Sequence, residues 1–393
     1  MSAGGGAGIS VRTASPADVE RSFDIRSRSF GVLPTDARPG WEANLQRAIA
    51  EDRALGAYDG DLLVGRATIA SFRQWWGGRV VPMAGIAGVV VSPEYRGRGV
   101  GSALMDGAIQ RGRELGYPLS ALYPATVPVY RSRGWEISGA QYRYTVESRL
   151  LRDLRGGPVD VRQATSADAG RLVDLMHEHH ASSRVCGVRD RSEDEVREDL
   201  GDDSVFAYLA DGGYVVYGWE GADLVVYEHL ASDADTARAL WSVVGSGSSI
   251  ARQVHAYLLP DDPIHLLIGE AVSSQVQRNA WMLRCLDART AIAGRGYPLG
   301  VTADVAVTLT DAQVHANELT ARLSVAGGRG ELVVTAADPR AVRLNANGLA
   351  ALYAGAPVAT LVAAGLASGG DPEAHGLLDA AFAGRPATLL DYF

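Results

Sequence analysis

The chain has 393 residues, of which 47% are hydrophobic and 21% are charged, and its net charge is −9. This length exceeds what one hydrophobic core usually supports, so we expect two or three domains. The composition is that of a globular protein, no apolar run approaches the length of a membrane span, and an acidic chain repels nucleic acid. An amine substrate suits such a chain better than a phosphate backbone does.

The basic and sulfur-containing residues narrow the possible classes of protein further. Every one of the 37 basic residues is arginine. A GC-rich coding bias accounts for this, and the functional alternative is a protein that offers no lysine amine to an acylating reaction. The two cysteines, Cys186 and Cys285, predict neither a disulfide framework nor a metal site. The N-terminal stretch MSAGGGAGIS lacks the basic and apolar segments of a secretory signal, so we expect a cytoplasmic location.

The first part of the chain, residues 1–150, alternates strand-like and helical patterns. ISVRTA predicts a strand, and a helix is predicted near Pro16 to Ser29. A further helix is predicted after Gly99. The other strand patterns are ALGAYD, LLVGRATIASF, MAGIAGVVV, PLSALY and QYRYTVES. This alternation is typical of an α/β or α+β domain with a mixed sheet.

The remainder of the chain divides into two further units. LLRDLRGGP predicts a linker, and VDVRQATSADAGRLVDLM then repeats the pattern of ISVRTASPADVERSFDI: a short strand, a Ser/Thr-Asp helix start and an amphipathic helix. This similarity indicates an internal duplication, so residues 151–285 are predicted to form a second domain of the same kind. Residues 286–393 form the third domain, with strand patterns such as DVAVTLTD followed by small-residue helices such as GLAALYAG.

The segment VVVSPEYRGRGVG predicts an anion site. The run Ile86–Val91 is rich in β-branched residues and reads as a buried strand, and apolar residues recur at helical spacing after Gly99. The turn therefore lies at a helix N-terminus, whose first N–H groups lack partners and carry the positive end of the helix dipole. Its glycines allow a close approach of the backbone, and its arginines add charge. A pyrophosphate fits a turn built from Arg96, Gly97, Arg98, Gly99 and Gly101.

Two nucleotide-binding motifs fail on this segment. A P-loop requires a lysine, and the dinucleotide fingerprint is G-x-G-x-x-G, whereas this turn reads G-x-G-x-G. What remains is Arg-x-x-Gly-x-Gly after a strand, which resembles the acetyl-coenzyme A signature of the GNAT acetyltransferases. The alternative is a glycine-rich turn without a ligand. The resemblance implies acetyl-CoA as a cosubstrate, with the backbone groups of Val89 and Val91 pairing with its pantetheine arm.

A longer segment, RGRELGYPLSALYPATVPVYRSRGWE, resembles the Eis (enhanced intracellular survival) family of bacterial N-acetyltransferases. The similarity extends over nearly the whole chain and includes WMLRCLDARTAIAGRGY at the start of the third unit. It implies an α+β or α/β protein with tandem GNAT acetyltransferase folds, followed by a sterol carrier protein-like C-terminal domain. The second unit has no Arg-x-x-Gly-x-Gly, so we expect it to be degenerate and to bind no coenzyme.

The Eis resemblance also implies roles for three residues. Tyr130 resembles the general acid that protonates the departing thiolate, and the alternative is a packing residue of the turn YRSRGWE. Trp41 resembles a tryptophan of the acceptor pocket. The loop before it, GVLPTDARPG, departs from the family, and Asp36 is our candidate to replace the family's acidic contact. Phe393 matches the last residue of the family, whose α-carboxylate enters the active site of the first unit and accepts the proton of the amine. The alternative for Phe393 is a hydrophobic anchor.

Two function classes remain open. One is an N-acetyltransferase acting on the amino groups of cationic molecules such as aminoglycosides, polyamines or lysine-type amines. The other is a lipid-binding or interaction protein with a vestigial coenzyme site, since the small-residue helices suit either a tunnel or close packing. The family resemblance further implies a homo-oligomer, a hexamer. In the stretch HEHH, His177 and His180 have no third ligand, so we expect a solvated helix face and no metal.

Overall fold

The structure, a computed structural model, describes residues 8–268 and 276–393, so most of the glycine-rich N-terminal stretch lies outside the described residues. The strands within those ranges are β1 (Ser10–Thr13), β2 (Ala54–Asp59), β3 (Leu62–Trp76), β4 (Arg79–Val91), β5 (Leu119–Leu122), β6 (Glu136–Glu147), β7 (Arg162–Gln163), β8 (Cys186–Asp190), β9 (Val205–Ala210), β10 (Gly213–Glu220), β11 (Asp223–Ala231), β12 (Gln253–Tyr257), β13 (Val276–Cys285), β14 (Ala303–Thr310), β15 (Leu319–Ala326), β16 (Arg329–Val334), β17 (Val342–Asn345) and β18 (Ala367–Gly369).

The helices of the same ranges are α1 (Val19–Phe30), α2 (Arg38–Ala50), α3 (Val100–Glu114), α4 (Val127–Arg131), α5 (Ser148–Arg152), α6 (Ala169–Ser183), α7 (Glu193–Leu200), α8 (Ala234–Gly245), α9 (Ile264–Leu267), α10 (Ala288–Gly294), α11 (Ala346–Tyr353), α12 (Val358–Ala363) and α13 (Pro372–Phe382). Strands and helices alternate along the chain, so the predicted mixed α and β class is confirmed.

The first unit builds a sheet in the order β1-β2-β3-β4-β5. Helices cover both of its faces, because successive side chains of a strand point to opposite sides. On one face α3 packs against β3: a Cβ at Gly65 would lie 3.0 Å from Val100 and 3.1 Å from Leu104. On the opposite face Ile25 of α1 packs with Val90 of β4. The sheet is therefore buried on both sides.

Strands β4 and β5 run parallel but soon separate. Their pairing covers only three positions and ends where Gly85 faces Ala121. Beyond that point β4 continues to Val91 and pairs only with β3 among the described strands. A β-bulge there sets Gly88 and Val89 opposite a single residue of β3, and Gly88 has a φ of +56°. A wedge-shaped opening follows between the two strands.

The first and second units exchange strands. β13, which follows the second unit in the chain, lies between β5 and β6. β6 reaches the other way, since its last residues, Arg143 to Glu147, pair with β12. Among the described residues the result is one sheet of thirteen strands running through both units. The predicted division at residues 150 and 285 stays a prediction, because neither stretch completes its sheet from its own strands.

The second unit repeats the plan of the first. From the outer edge inward, β7, β9, β10, β11 and β12 follow the same order as β1 to β5. Both units start their first helical segment with the same capping box, formed by Ser15 with Asp18 and by Thr165 with Asp168. β8 departs from this plan, because it pairs with the far end of β3 and joins the units there. The predicted duplication is confirmed at the level of the fold.

The third unit contains a separate sheet in the order β16-β15-β14-β17-β18, with helices packed on it. Its core is continuous with that of the first unit, since Trp76 belongs to the same buried cluster as Tyr353 and Phe382. Arg295, only 2% exposed, donates hydrogen bonds to the main-chain carbonyls of Tyr353 and Phe382. This packing fixes the third unit against the first.

No helix within residues 8–268 or 276–393 combines the length and the hydropathy that crossing a bilayer requires.

Candidate active site

The N-terminus of α3 is open to an anion. Gly99 is its N-cap, with a φ of +80°, and no side chain caps the helix. Gly97 also has a positive φ, of +76°, an angle that other residues rarely adopt. A Cβ at Gly97, Gly99 or Gly101 would meet no atom within 4 Å, so the turn borders open space. The first N–H groups of α3 are thus free to face a ligand.

The arginines of this turn have no carboxylate of their own. Arg96 reaches Ser29 Oγ at 3.4 Å, and the guanidinium of Arg98 lies 5.1 Å from the centre of the Tyr95 ring. Within the described residues neither arginine forms an ion pair. Both cations are therefore available to a phosphate, and with the open helix N-terminus they fit the pyrophosphate of acetyl-CoA.

The edge of β4 that faces the opening carries unpaired backbone groups. Val89 and Val91 turn their side chains into the core beneath α3, and no described strand pairs with this stretch of β4 on the side of β5. An extended ligand can hydrogen-bond to such an edge as an added strand does. The bulge at Gly88 changes the direction of the strand just before Val89. The predicted pantetheine contact is compatible with this geometry.

Tyr130 lies in α4, which follows β5 in the chain. Its side chain is 7% exposed and packs in the core cluster of α3 and β5. Burial raises the pKa of its hydroxyl, and the nearby Tyr392 raises it further. Because Tyr392 belongs to the C-terminal tail, Tyr130 and the tail meet in one region. The ring is packed in the core, and this burial is compatible with a proton held on the hydroxyl.

The last residues of the sequence run along the first unit and are held there by main-chain contacts. Gln141 Nε2 donates a hydrogen bond to the carbonyl of Leu390 at 2.8 Å. The hydroxyl of Tyr123, at the end of β5, donates to the carbonyl of Asp391 at 2.9 Å. Burial raises the pKa of Tyr123, so this hydroxyl keeps the proton that it donates.

Phe393 lies at the point where β4 and β5 separate. Its ring is centred 4.8 Å from the ring of Phe72, and a Cβ at Gly85 would lie 2.7 Å from it. Tyr392 stacks on Tyr123 with 4.5 Å between ring centres. Gly85 is thus required for close contact, since any larger residue would displace the ring. The predicted docking of the tail in the first unit agrees with this arrangement.

The two residues predicted to contact the acceptor have different surroundings. Trp41 in α2 is half-buried and packs edge-to-face on Phe23, with 5.3 Å between ring centres. Asp36 is exposed in the loop between α1 and α2, and within the described residues it has no hydrogen bond or ion pair. The packing of Trp41 therefore fixes its position. Asp36 has no described contact that connects it with the other site residues.

Three residues of this region escaped the sequence analysis. Arg66 on β3 is 4% exposed, and its guanidinium lies 5.6 Å from the centre of the Trp41 ring. Phe72 and Tyr123 hold the tail, as described above. The signal for Arg66 was present, because a lone arginine interrupts the apolar run of LLVGRATIASF. Phe72 and Tyr123 had no such signal, since their partners lie hundreds of residues away.

The second unit has a matching opening but a blocked helix. β11 and β12 pair in parallel at three positions and then separate around a cavity of about 350 Å³. At its end the N-cap residue Asp233 accepts hydrogen bonds from the N–H groups of Asp235 at 3.0 Å and Thr236 at 2.9 Å. The protein's own carboxylate thus occupies the anion position of α8. This is the physical reason to expect no coenzyme there.

The prediction that HEHH forms a solvated helix face is wrong for His180, whereas Glu178 is exposed and the side chain of His177 is 42% exposed. His180 is 5% exposed and packs on Trp75, with 5.8 Å between ring centres, and His177 Nε2 lies 2.8 Å from Asp190 Oδ1. Burial lowers the pKa of His180 to about 3, so this ring is neutral. His180 is buried where β8 joins β3. In the part of the chain that the structure describes, no group of three or more potential ligands is arranged around a metal position.

Comparisons with known proteins match three successive parts of the chain. A family model described as an acetyltransferase (GNAT) domain matches residues 10–138, and a second model of that description matches residues 187–285. A sterol carrier protein domain matches residues 288–390. The tandem folds and the third domain are therefore confirmed. The protein is an N-acetyltransferase of the GNAT class, and enzymes of this class use acetyl-CoA.

Comparison with individual proteins places the chain more closely among the N-acetyltransferases. The crystal structure of a GCN5-related N-acetyltransferase from Kribbella flavida has a TM-score of 0.96 and 47% identity, and the match covers 98% of each chain. The N-acetyltransferase Eis of Mycobacterium tuberculosis is 29% identical over 350 residues, 84% of this chain and 85% of that protein. An N-acetyltransferase of Streptomyces griseus is 29% identical over 345 residues, 77% of this chain and 80% of that protein. The chain belongs to the GCN5-related N-acetyltransferases, and over most of its length it is similar to the Eis enzymes.

Proposed function

We propose that the protein transfers the acetyl group of acetyl-CoA to an amino group of a cationic small molecule by direct attack. Aminoglycosides, polyamines and lysine-type amines are the candidate acceptors. The observation that carries this proposal is the ring of Phe393 on Gly85, at the point where β4 and β5 separate. The open turn before α3, the free edge of β4 and the C-terminal tail thus border the same opening.

The coenzyme is assigned to the first unit only. The turn from Arg96 to Gly101 holds the pyrophosphate, and the backbone groups of Val89 and Val91 hold the pantetheine arm. Acetyl-CoA supplies the thioester carbonyl that the amine attacks. Support for this assignment comes from the uncapped N-terminus of α3 and from the contrast with α8, where Asp233 occupies the equivalent position.

Two groups of the chain handle the protons. Tyr130 holds the proton that the departing sulfur takes, which is supported by the raised pKa of its buried hydroxyl. The α-carboxylate of Phe393 accepts the proton that the amine loses, directly or through water. Such a carboxylate has an ordinary pKa of about 3.3–3.7, so it is ionised at neutral pH and also attracts a cationic amine.

The acceptor binds on the side of Trp41 and Asp36. The half-buried indole of Trp41 supplies a flat apolar surface, and the exposed carboxylate of Asp36 supplies negative charge at the edge of the loop. We further infer a homo-oligomer, a hexamer, and a cytoplasmic location, both of which rest on the resemblance to the Eis family and on the composition of the chain.

The alternative of a lipid carrier with a vestigial coenzyme site has less support. The small residues of α11 belong to a tightly packed contact, because a Cβ at Gly348 would lie 2.2 Å from the carbonyl oxygen of Leu366. Close helix packing explains these residues without a tunnel.

A pair of terminal extensions tests the proposal. Release of free thiol from acetyl-CoA is measured with a panel of amines. We expect a tag before Met1 to leave kcat/KM unchanged and residues added after Phe393 to reduce it by about tenfold or more, because they displace the carboxylate while keeping the ring. Full activity with the C-terminal extension would remove the carboxylate as the base. No thiol release with any amine would contradict acetyl transfer itself.

A further inference from the structure

Arg66 is a buried cation without an anion. Its side chain is almost entirely enclosed, with 4% of the residue exposed. The Nη1 group donates a hydrogen bond to Thr68 Oγ1, while Nε is buried and has no partner. Within the described residues Arg66 forms no ion pair. The charged group that shifts its pKa is another cation, Arg26, which lowers it. The guanidinium is thus enclosed without a carboxylate.

The position of Arg66 connects the coenzyme strand with the acceptor side. Gly65, Ala67 and Ile69 of β3 face α3, so by the alternation of a strand Arg66 and Phe72 point to the opposite side. A Cβ at Gly88, the residue before Val89 in β4, would lie 2.9 Å from the Arg66 guanidinium. On this side Arg66 contacts Trp41, and Phe72 contacts Phe393.

Physical chemistry makes this arrangement unfavourable unless an anion binds. Burial, and to a smaller extent the nearby Arg26, lower the pKa of Arg66 to about 10, so the group is still charged at neutral pH. A buried charge without a partner destabilises a fold, so such groups persist mainly where function requires them. The planar fork of a guanidinium matches the two oxygens of a carboxylate, which it binds through parallel hydrogen bonds.

We propose that Arg66 binds a carboxylate of the acceptor, so that the acceptor is an amine that also carries an acidic group. This inference rests on the proposed function and narrows it. Free lysine has both an amine and a carboxylate, whereas polyamines and aminoglycosides carry no anionic group that could pair with Arg66. The amine faces the tail carboxylate of Phe393, and the acidic group faces Arg66.

Matched acceptor pairs test the inference in the unmodified protein. The pairs are lysine with cadaverine and tyrosine with tyramine, each differing by one carboxylate, and O-phosphoethanolamine supplies a phosphate instead. We expect kcat/KM to be about tenfold or more higher for the carboxylate member of at least one pair, because a bidentate ion pair is lost in the other. Equal values within both pairs, or a preference for phosphate alone, would overturn the proposal.

Two variants locate the effect. Arg66→Met keeps an unbranched side chain and removes the charge, and we expect it to raise KM for the carboxylate acceptor and to abolish the preference. Arg12→Met is the matched control, since Arg12 is a half-exposed cation of the same unit paired with Asp61, and it should keep the preference. A loss in Arg66→Met that is equal for both members of a pair would assign Arg66 to the fold and overturn the proposal.

A binding measurement separates this inference from the proposed function. Calorimetry of Nα-acetyl-lysine with the full chain in the presence of coenzyme A requires no turnover. We expect binding to the unmodified protein, and N-acetylcadaverine to bind at least about tenfold more weakly. Thiol release without any carboxylate-dependent binding would overturn the role of Arg66 while leaving acetyl transfer intact. Absence of thiol release with every amine would remove the proposed function instead.

Discussion

Tyr130 has two properties that suit a proton donor. Its ring is fixed in the core of the first unit, so the hydroxyl has a defined position, and burial raises its pKa above the ordinary value of about 10. The hydroxyl therefore stays protonated at neutral pH. The neighbouring Tyr392 brings the C-terminal tail close to it, which couples this residue to a segment more than 260 residues away in the chain.

Replacement of Tyr130 by phenylalanine tests this role. We expect Tyr130→Phe to reduce kcat by roughly a hundredfold while coenzyme affinity stays unchanged, because the ring still packs and only the proton is lost. The raised pKa also predicts that kcat does not fall through ionisation of Tyr130 until the pH exceeds about 10. Steady-state kinetics from pH 6 upward measure both effects.

Tyr117→Phe is the matched control, because Tyr117 lies in the turn before β5 of the same unit and is partly exposed. It should keep its kcat. A loss in Tyr130→Phe that is confined to KM would assign the hydroxyl to substrate binding.

The sequence predicts some site residues well and others poorly, for a physical reason. The turn from Arg96 to Gly101 is a local motif in which spacing alone determines the geometry. Trp41 and Tyr130 were found by family resemblance. Arg66 depends on the pairing of β3 with β4, which places its guanidinium against Gly88. Such a contact is not a property of any short stretch.

At the level of elements, the equivalent helices α3 and α8 of the two acetyltransferase units differ at their N-termini. α3 begins at a glycine with no side-chain cap, whereas α8 begins at Asp233, whose carboxylate accepts two main-chain hydrogen bonds. A capped helix is more stable, and an uncapped one leaves its positive end free for an anion. In the second unit the N-terminus of α8 is thus stabilised by its cap. In the first unit the N-terminus of α3 has no cap and is open to an anion.

A negative side chain at the N-terminus of α3 should remove the coenzyme site. We expect Gly99→Glu to abolish acetyl-CoA binding in calorimetry, because the glutamate carboxylate enters the anion position. In addition, the φ of +80° at position 99 disfavours any side chain. Gly376→Glu is the control: Gly376 is exposed in α13, and a Cβ there meets no atom within 4 Å. Unchanged affinity in Gly99→Glu would contradict the assignment of the site.

The element pattern was predictable to a large extent because its signals are local. Alternation of apolar residues indicated the strands of the first unit, and the Ser/Thr-Asp starts indicated the duplication. The burial of His180 was not predictable, since it depends on the pairing of β8 with β3. Periodicity along one helix cannot show what a distant strand covers.

At the level of the whole molecule, the exchange of β6 and β13 means that the acetyltransferase units are not separable at their linker. A fragment of residues 1–150 has β5 without its neighbour β13, and β6 has neither of its neighbours. Unpaired strand edges of this length favour aggregation.

We therefore expect the fragment of residues 1–150 to be unfolded or aggregated, whereas the whole chain unfolds cooperatively. Circular dichroism and size-exclusion chromatography of the two proteins make the comparison. The whole chain, expressed in parallel, is the control. A monomeric fragment with a sharp thermal transition would contradict this expectation.

The same exchange has a consequence for synthesis on the ribosome. After β5 leaves the exit tunnel, its neighbour β13 is translated about 150 residues later, a delay on the order of ten seconds at ordinary rates. Throughout that interval the edge of β5 stays unpaired, because β13 is the only described strand besides β4 that pairs with β5. Slow codons or a chaperone between residues 150 and 276 would therefore change the yield of native protein without altering any contact of the finished fold.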